Sequence, residues 1–361
     1  MSERLRVTYE LSLEPGEDAD AKARDIAYEQ TVELPPAATP AGIAEWVPGE
    51  IEALQAIDDG LWRAVIAFEP SLAAGELTQT LNLIFGNISL KRGIRVTAID
   101  WPQALVRALV GPGYGIQGWR DLTGIRDRAL AATALKPVGL SSAELAERAA
   151  AFARGGMDII KDDHGLTNQV HAPFAERLKR CRDAVGDASL YLPNVTAAWP
   201  TMMARAEQAR AAGCQAVLVS PMLTGLDAPR QLHDELGLMV MAHPSLTGGY
   251  LQTGHGFAAE VMLGDILRLA GADAVIYPNT GGRFGLTPQE CEAINHHLRE
   301  EAGLIRPAMP VPAGGIALAE AASWGHQYGP DTILLLGGSL YASADIETAT
   351  RELIAAIEEQ P

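Results

Sequence analysis

The stretch LAATALKPVGLSSAELAERAAAFARGGMDIIKDDHG, residues 130–165, sets two apolar runs on either side of a helical segment. The first run closes in Lys136-Pro137. The second ends abruptly in Lys161, Asp162, Asp163 and His164. Between them, SSAELAERAAAFARGG carries a serine cap, apolar positions at helical spacing and a Gly-Gly stop. Continuous apolar strands alternating with helices indicate a parallel sheet covered on both faces.

The same rhythm continues to the C-terminus. After LAATALKP and MDIIKDD come LYLPN, AVLVSP, LMVMAHP, AVIYPN, MPVPAGG and TILLLGG. Each run is closed by a polar residue, glycine or proline, and most are followed by an Ala/Glu/Arg-rich segment such as WPTMMARAEQARAAG. Eight such units over ~230 residues match a (β/α)₈ barrel. An open doubly wound sheet is the alternative, but no GxGxxG opens the first unit, and the near-miss GPGYGIQG has no strand before it.

Residues 1 to about 115 read differently. RLRVTYELSL alternates like a half-buried strand, DADAKARDIAYEQ reads as a helix with an Asp-rich start, and LWRAVIAFEP reads as a strand. LTQTLNLIFGNISL is apolar and broken at Gly86-Asn87. The expected organisation is an α+β N-terminal domain, residues 1–118, followed by a barrel domain, residues 119–361, giving an α/β protein overall.

Composition narrows the function classes. The 361 residues include 48% hydrophobic ones, enough for a sizeable core. A formal net charge of -17 argues against a nucleic-acid partner and against docking on an anionic membrane. An anionic substrate would have to be held by local donors. The start, MSERLRVTYELSLEPGED, has no apolar signal-peptide core, and no apolar run approaches the ~18 residues of a membrane span. Cys181, Cys214 and Cys291 are scattered, which fits a reducing cytoplasm and neither a disulfide frame nor a zinc site.

Barrel enzymes place their chemistry at the C-terminal ends of the strands. The candidates are therefore Lys136; Lys161, Asp163 and His164; Asn194; Ser220; His243; Asn279; Gly314 and Gly315; and Gly337 and Gly338. A solvated loop also explains Lys161 to His164. A metal site is the alternative, because carboxylates suit Mg²⁺ and an imidazole shifts preference to softer metals. Lys136 at a desolvated mouth beside other cations suits a base, and the bland reading is snorkelling to solvent. His243 also reads as a satisfied core histidine. His233, His296, His297 and His326 lie on helical or polar segments and read as solvated. The glycine pairs after runs seven and eight suit a phosphate, as in many barrels, and otherwise are plain turns.

Several segments together resemble the large subunit of ribulose-bisphosphate carboxylase (RuBisCO). GGMDIIKDDHG resembles the family's Gly-Gly-x-Asp-x-x-Lys-x-Asp-Glu segment. LVGPGYGIQGWRDLTGIRDRALAATALKPVGLS resembles its Gly-Ile-Gln segment leading into the Lys-Pro motif. FGNISLKRGIRV, LYLPNVTA, LTG, AGGI and LLLGGSL follow in family order. The resemblance covers nearly the whole chain. It implies an α+β domain before a barrel, and a homodimer with sites shared between subunits. It further implies that Lys161 is carbamylated by CO₂ and binds Mg²⁺ with Asp163, and that Lys136 is the catalytic lysine. The same resemblance implies that Asn87, with Glu29, reaches the site from the N-terminal domain, that His243 matches a histidine after strand five, and that Gly315, Gly337 and Gly338 bind phosphate through the backbone.

The departures from the family are equally informative. His164 stands where a second metal carboxylate is expected, which leaves open whether it binds the metal. Pro244 replaces an arginine for the second phosphate, Ile276 a phosphate-binding histidine, and Ala313 a serine. Val138 replaces a second lysine, and Arg283 is nearest to the mobile-loop lysine of carboxylation. One phosphate grip survives and the other is dismantled. The chain is thus similar to RuBisCO-like (form IV) proteins. The resemblance implies Mg²⁺-dependent enolisation of a sugar monophosphate in the cytoplasm, as in the 5-methylthioribulose-1-phosphate isomerases of methionine salvage. A tautomerase (enolase) on a diketo phosphate, a decarboxylase of a β-keto sugar-acid phosphate, and a non-catalytic binding protein retaining the fold are the alternatives.

Overall fold

The computed structural model describes residues 3–300 and 305–359. Its strands are β1 (Leu5–Ser12), β2 (Glu50–Asp58), β3 (Leu61–Phe68), β4 (Ile94–Asp100), β5 (Leu130–Leu135), β6 (Ile159–Asp162), β7 (Leu190–Leu192), β8 (Ala216–Val219), β9 (Met239–Ala242), β10 (Leu251–Gln252), β11 (His255–Phe257), β12 (Ala274–Pro278), β13 (Met309–Ala313) and β14 (Ile333–Leu336). They form two sheets, and the chain divides into two units.

The first unit comprises the chain up to Val110 together with Thr247–Met262. Its sheet has the order β10-β11-β4-β1-β3-β2. β1 alternates buried and half-buried positions along its whole length, because one face packs on the core and the other faces outward. It pairs antiparallel with β3 and β4. The segment LTQTLNLIF forms the helix Leu77–Phe85, and Tyr9 is tied to it by donating to the Ile84 carbonyl at 2.7 Å.

In the second unit the strand order is β7-β6-β5-β14-β13-β12-β9-β8, with neighbouring strands parallel. The ends meet. Asn194 bridges Leu218, Val195 N–H donates to the Leu218 carbonyl at 3.0 Å, and Leu218 N–H donates to the Pro193 carbonyl at 3.0 Å. The sheet is therefore a closed barrel and not an open doubly wound sheet. All eight apolar runs are barrel strands. The helix Ser142–Arg154 opens on a capping box, in which Ser141 and Glu144 satisfy each other's backbone N–H.

The expected boundary at residue 118 falls inside the helix Gly115–Thr123, and the second unit begins at Gly111. The reason is packing. Trp119 is fully buried with Leu130, Ala132, Met239 and Met309 in the barrel interior, and its indole N–H donates to the Asp273 carbonyl at 3.1 Å. The Asp273 carboxylate accepts from Tyr114 and Gly115 N–H at 2.7 Å each and from Val240 N–H at 2.8 Å. GPGYGIQG is thus the anchored floor of the barrel. Among the described residues no helix is long and apolar enough to cross a membrane.

Candidate active site

Side chains alternate along a barrel strand, so the buried interior residues set the parity of everything above them. Leu130 and Ala132 of β5 face inward, which carries Ala134 and Lys136 to the same side. Ile159 faces inward on β6 and carries Lys161 and Asp163 with it. Met239 and Met241 do the same for His243. Four expected site residues, Lys136, Lys161, Asp163 and His243, therefore share the mouth.

Asp162, one step out of phase, faces the helices. It is fully buried, accepts from Arg177 Nε at 3.1 Å, from Tyr191 OH at 2.8 Å and from Asn194 N–H at 3.0 Å, and is a structural anchor. Asn194 donates from Nδ2 to the carbonyls of His164 and Leu166, each at 2.9 Å, and so holds the loop that carries His164. Asn279 is likewise structural, accepting from Tyr328 OH at 2.7 Å.

At the mouth, Lys136 Nζ lies 3.3 Å from Asp163 Oδ1, and His164 Nδ1 lies 3.6 Å from Asp163 Oδ2. Burial opposes ionisation of Asp163, but His164, Lys136, Lys161 and the Gly165 N–H outweigh it and hold the carboxyl below the usual range. The desolvated lysine is Lys161, not Lys136. The Lys136 side chain is 42% exposed, whereas Lys161 is 2% exposed and burial pushes its ammonium down to about 8. Lys161 Nζ donates to the Asp162 carbonyl at 3.1 Å. His243 stacks on His164 with ring centroids 4.2 Å apart and planes 16° apart. Burial and the cations around it push His243 down to about 2.

Among the described residues no three His, Cys, Asp or Glu side chains converge as a metal site. The mouth offers the Asp163 carboxylate with His164 beside it. Lys161 as an ammonium would repel a cation, and as a carbamate it would add oxygen donors. The residues therefore fit a divalent cation in one state of Lys161 only.

The glycines divide into two kinds. Gly315 sits at φ +72°, and a Cβ there would lie 2.6 Å from Gly282 N, so close approach of the 281–282 backbone explains it. A Cβ on Gly337 or Gly338 would meet open space. These two follow β14, which pairs with β5 next to Lys136. Tyr341, which the sequence did not single out, ties this end together: its OH accepts from Lys136 N–H and donates to the Ala134 carbonyl, both at 2.9 Å.

Asn87 belongs to the first unit, where its Nδ2 donates to Glu29 at 3.2 Å and Glu33 at 3.0 Å. Two histidines expected to be solvated are half-buried and have partners. His297 Nδ1 lies 2.9 Å from Asp265, and the His233 ring packs edge-on against Tyr114 at 4.9 Å. Cys181, Cys214 and Cys291 are unpaired and buried.

Residues 115–352 match the ribulose bisphosphate carboxylase large chain, catalytic domain. The chain belongs to the RuBisCO large-chain family. It is 39% identical over 354 residues to ribulose bisphosphate carboxylase-like protein 1 of Rhodopseudomonas palustris, covering 96% of this chain and 95% of the relative. It is 35% identical over 356 residues to the 5-methylthioribulose-1-phosphate isomerase of Rhodospirillum rubrum, covering 96% and 93%. A solved structure of a Rubisco-like protein from Rhodopseudomonas palustris superposes with a TM-score of 0.90 at 34% identity over 99% of each chain. In this chain the inward Lys161 and Asp163 and the outward Asp162 follow from the alternation of one strand.

Proposed function

We propose that this RuBisCO-like protein enolises a sugar monophosphate with Mg²⁺ and does not fix CO₂. The best single substrate is 5-methylthioribulose 1-phosphate, which it would isomerise. The carrying observation is the convergence of Lys136, Lys161 and Asp163 on one barrel mouth beside the open Gly337-Gly338. The name of the Rhodospirillum rubrum relative supports the choice of substrate.

Lys161, neutral above about 8, adds to CO₂ through Nζ, releases a proton and becomes a carbamate. That carbamate, Asp163 and His164 would then hold the cation. Mg²⁺, when bound, supplies Lewis-acid polarisation of a substrate carbonyl. Lys136 or the carbamate takes the α-proton, leaving an enediolate, and the proton is returned to a different carbon, which moves the carbonyl. The backbone at Gly337 and Gly338 holds the single phosphate, and with Pro244 after His243 there is no arginine for a second. The family's homodimer would bring Asn87 of one subunit to the mouth of the other.

The test is an NMR assay of the Mg²⁺- and CO₂-treated protein with 5-methylthioribulose 1-phosphate. The expected result is an isomerised phosphate product that requires Lys161. Turnover of a diketo phosphate instead would make the protein a tautomerase. No turnover and no metal binding would make it a binding protein.

A further inference from the structure

The turn after β9 holds His243 in one tautomer. Its Nδ1 lies 3.2 Å from Ser245 N and 2.8 Å from Ser245 Oγ. A backbone N–H can only donate, so Nδ1 accepts. The single proton of the neutral ring therefore sits on Nε2. The hydroxyl, free to rotate, adds a second and shorter donor to the same nitrogen.

The turn is shaped for this contact. Pro244 directly precedes Ser245, and Leu246 directly follows it at φ +75°, a left-handed conformation that a leucine keeps only where its surroundings hold it. One face of the ring is covered by His164. Ser245 grips the Nδ1 edge, and Nε2 lies on the other side of the ring.

We propose that Ser245 is a positioning residue that keeps His243 as the Nε2–H tautomer, so that His243 donates a hydrogen bond to a substrate hydroxyl or phosphate oxygen and does not accept a proton there. The assignment rests on the barrel mouth being the enolisation site. Catalytic proton removal is then left to the lysine side of the mouth. Ser245 acts on the substrate only through His243.

The test combines nitrogen NMR and kinetics on the Mg²⁺- and CO₂-treated full chain. With ¹⁵N-labelled histidine, wild-type His243 should show one protonated nitrogen, Nε2, and one unprotonated nitrogen, Nδ1. Ser245→Ala keeps the backbone donor, so Nδ1 should stay unprotonated while its shift moves with loss of the hydroxyl donor, and Ser245→Thr should restore the wild-type shift. Ser245→Ala should raise KM for the sugar phosphate by roughly fivefold, the loss of about one neutral hydrogen bond, with little change in kcat. Ser245→Thr should recover most of that loss. In a His243→Ala background, Ser245→Ala should change KM no further. A wild-type ring protonated on Nδ1 would overturn the proposal. So would a Ser245→Ala effect that persists at full size without His243. If no sugar phosphate is turned over, the proposed function fails, while the ring-nitrogen spectra still decide the tautomer.

Discussion

Asp162 and Asp163 are neighbours in sequence and face opposite sides of β6. Asp162 is buried among Arg177, Tyr191 and Asn194, so removing its charge strands a buried guanidinium. Asp162→Ala is expected to cost roughly 3–5 kcal/mol of stability, measured by urea unfolding. Asp163→Asn should instead weaken Mg²⁺ binding, measured by calorimetry. Lys161 makes a pH prediction. Its proton leaves at about 8 in the fold, against an ordinary value of 10.5 in the unfolded chain. Between those values the unfolded chain binds more protons, so this group makes stability rise with pH from about 8 to 10.5, and its burial cost is fully felt below 8. Denaturation midpoints across that window should lose this component in Lys161→Met. CO₂ activation should likewise grow as pH rises through about 8, since the neutral amine is the reactive form.

At the scale of elements, the barrel strands were legible because buried parallel strands are continuous apolar runs closed by polar groups. β2 was not, because most of its positions are exposed and no apolar run marks it. β10 and β11 were not, because strands of two and three residues carry no period. The identity of the desolvated lysine was not: alternation carries both Lys136 and Lys161 inward, and only depth separates them, Lys161 lying within β6 and Lys136 just past the end of β5. The grip of Tyr341 on both sides of the end of β5 was not, since it joins residues 205 and 207 positions apart. Gly315 also carries a packing constraint that its motif did not reveal. Gly315→Ala would place a methyl group against the Gly282 backbone at a positive φ. It is expected to cost about 1–3 kcal/mol by thermal or urea unfolding, whether or not phosphate is present.

Over the whole molecule, a strongly acidic chain gathers its few useful cations at one place. The net charge of -17 would repel a sugar phosphate in solution, yet Lys136 and Lys161 lie at the mouth with the open glycine pair on the neighbouring strand end. Binding should therefore depend on these local groups rather than on the overall field. The family was legible in full because its motifs lie at strand ends, where spacing and residue type are both constrained. The choice of substrate was not, because the proposed enolisation would serve several related phosphates equally well. The most direct test is deuterium uptake at the α-carbon of 5-methylthioribulose 1-phosphate in D₂O with Mg²⁺ and CO₂, followed by NMR. The wild-type protein should exchange that position and Lys161→Ala should not; a Lys161→Ala variant that exchanges at the wild-type rate would contradict the account.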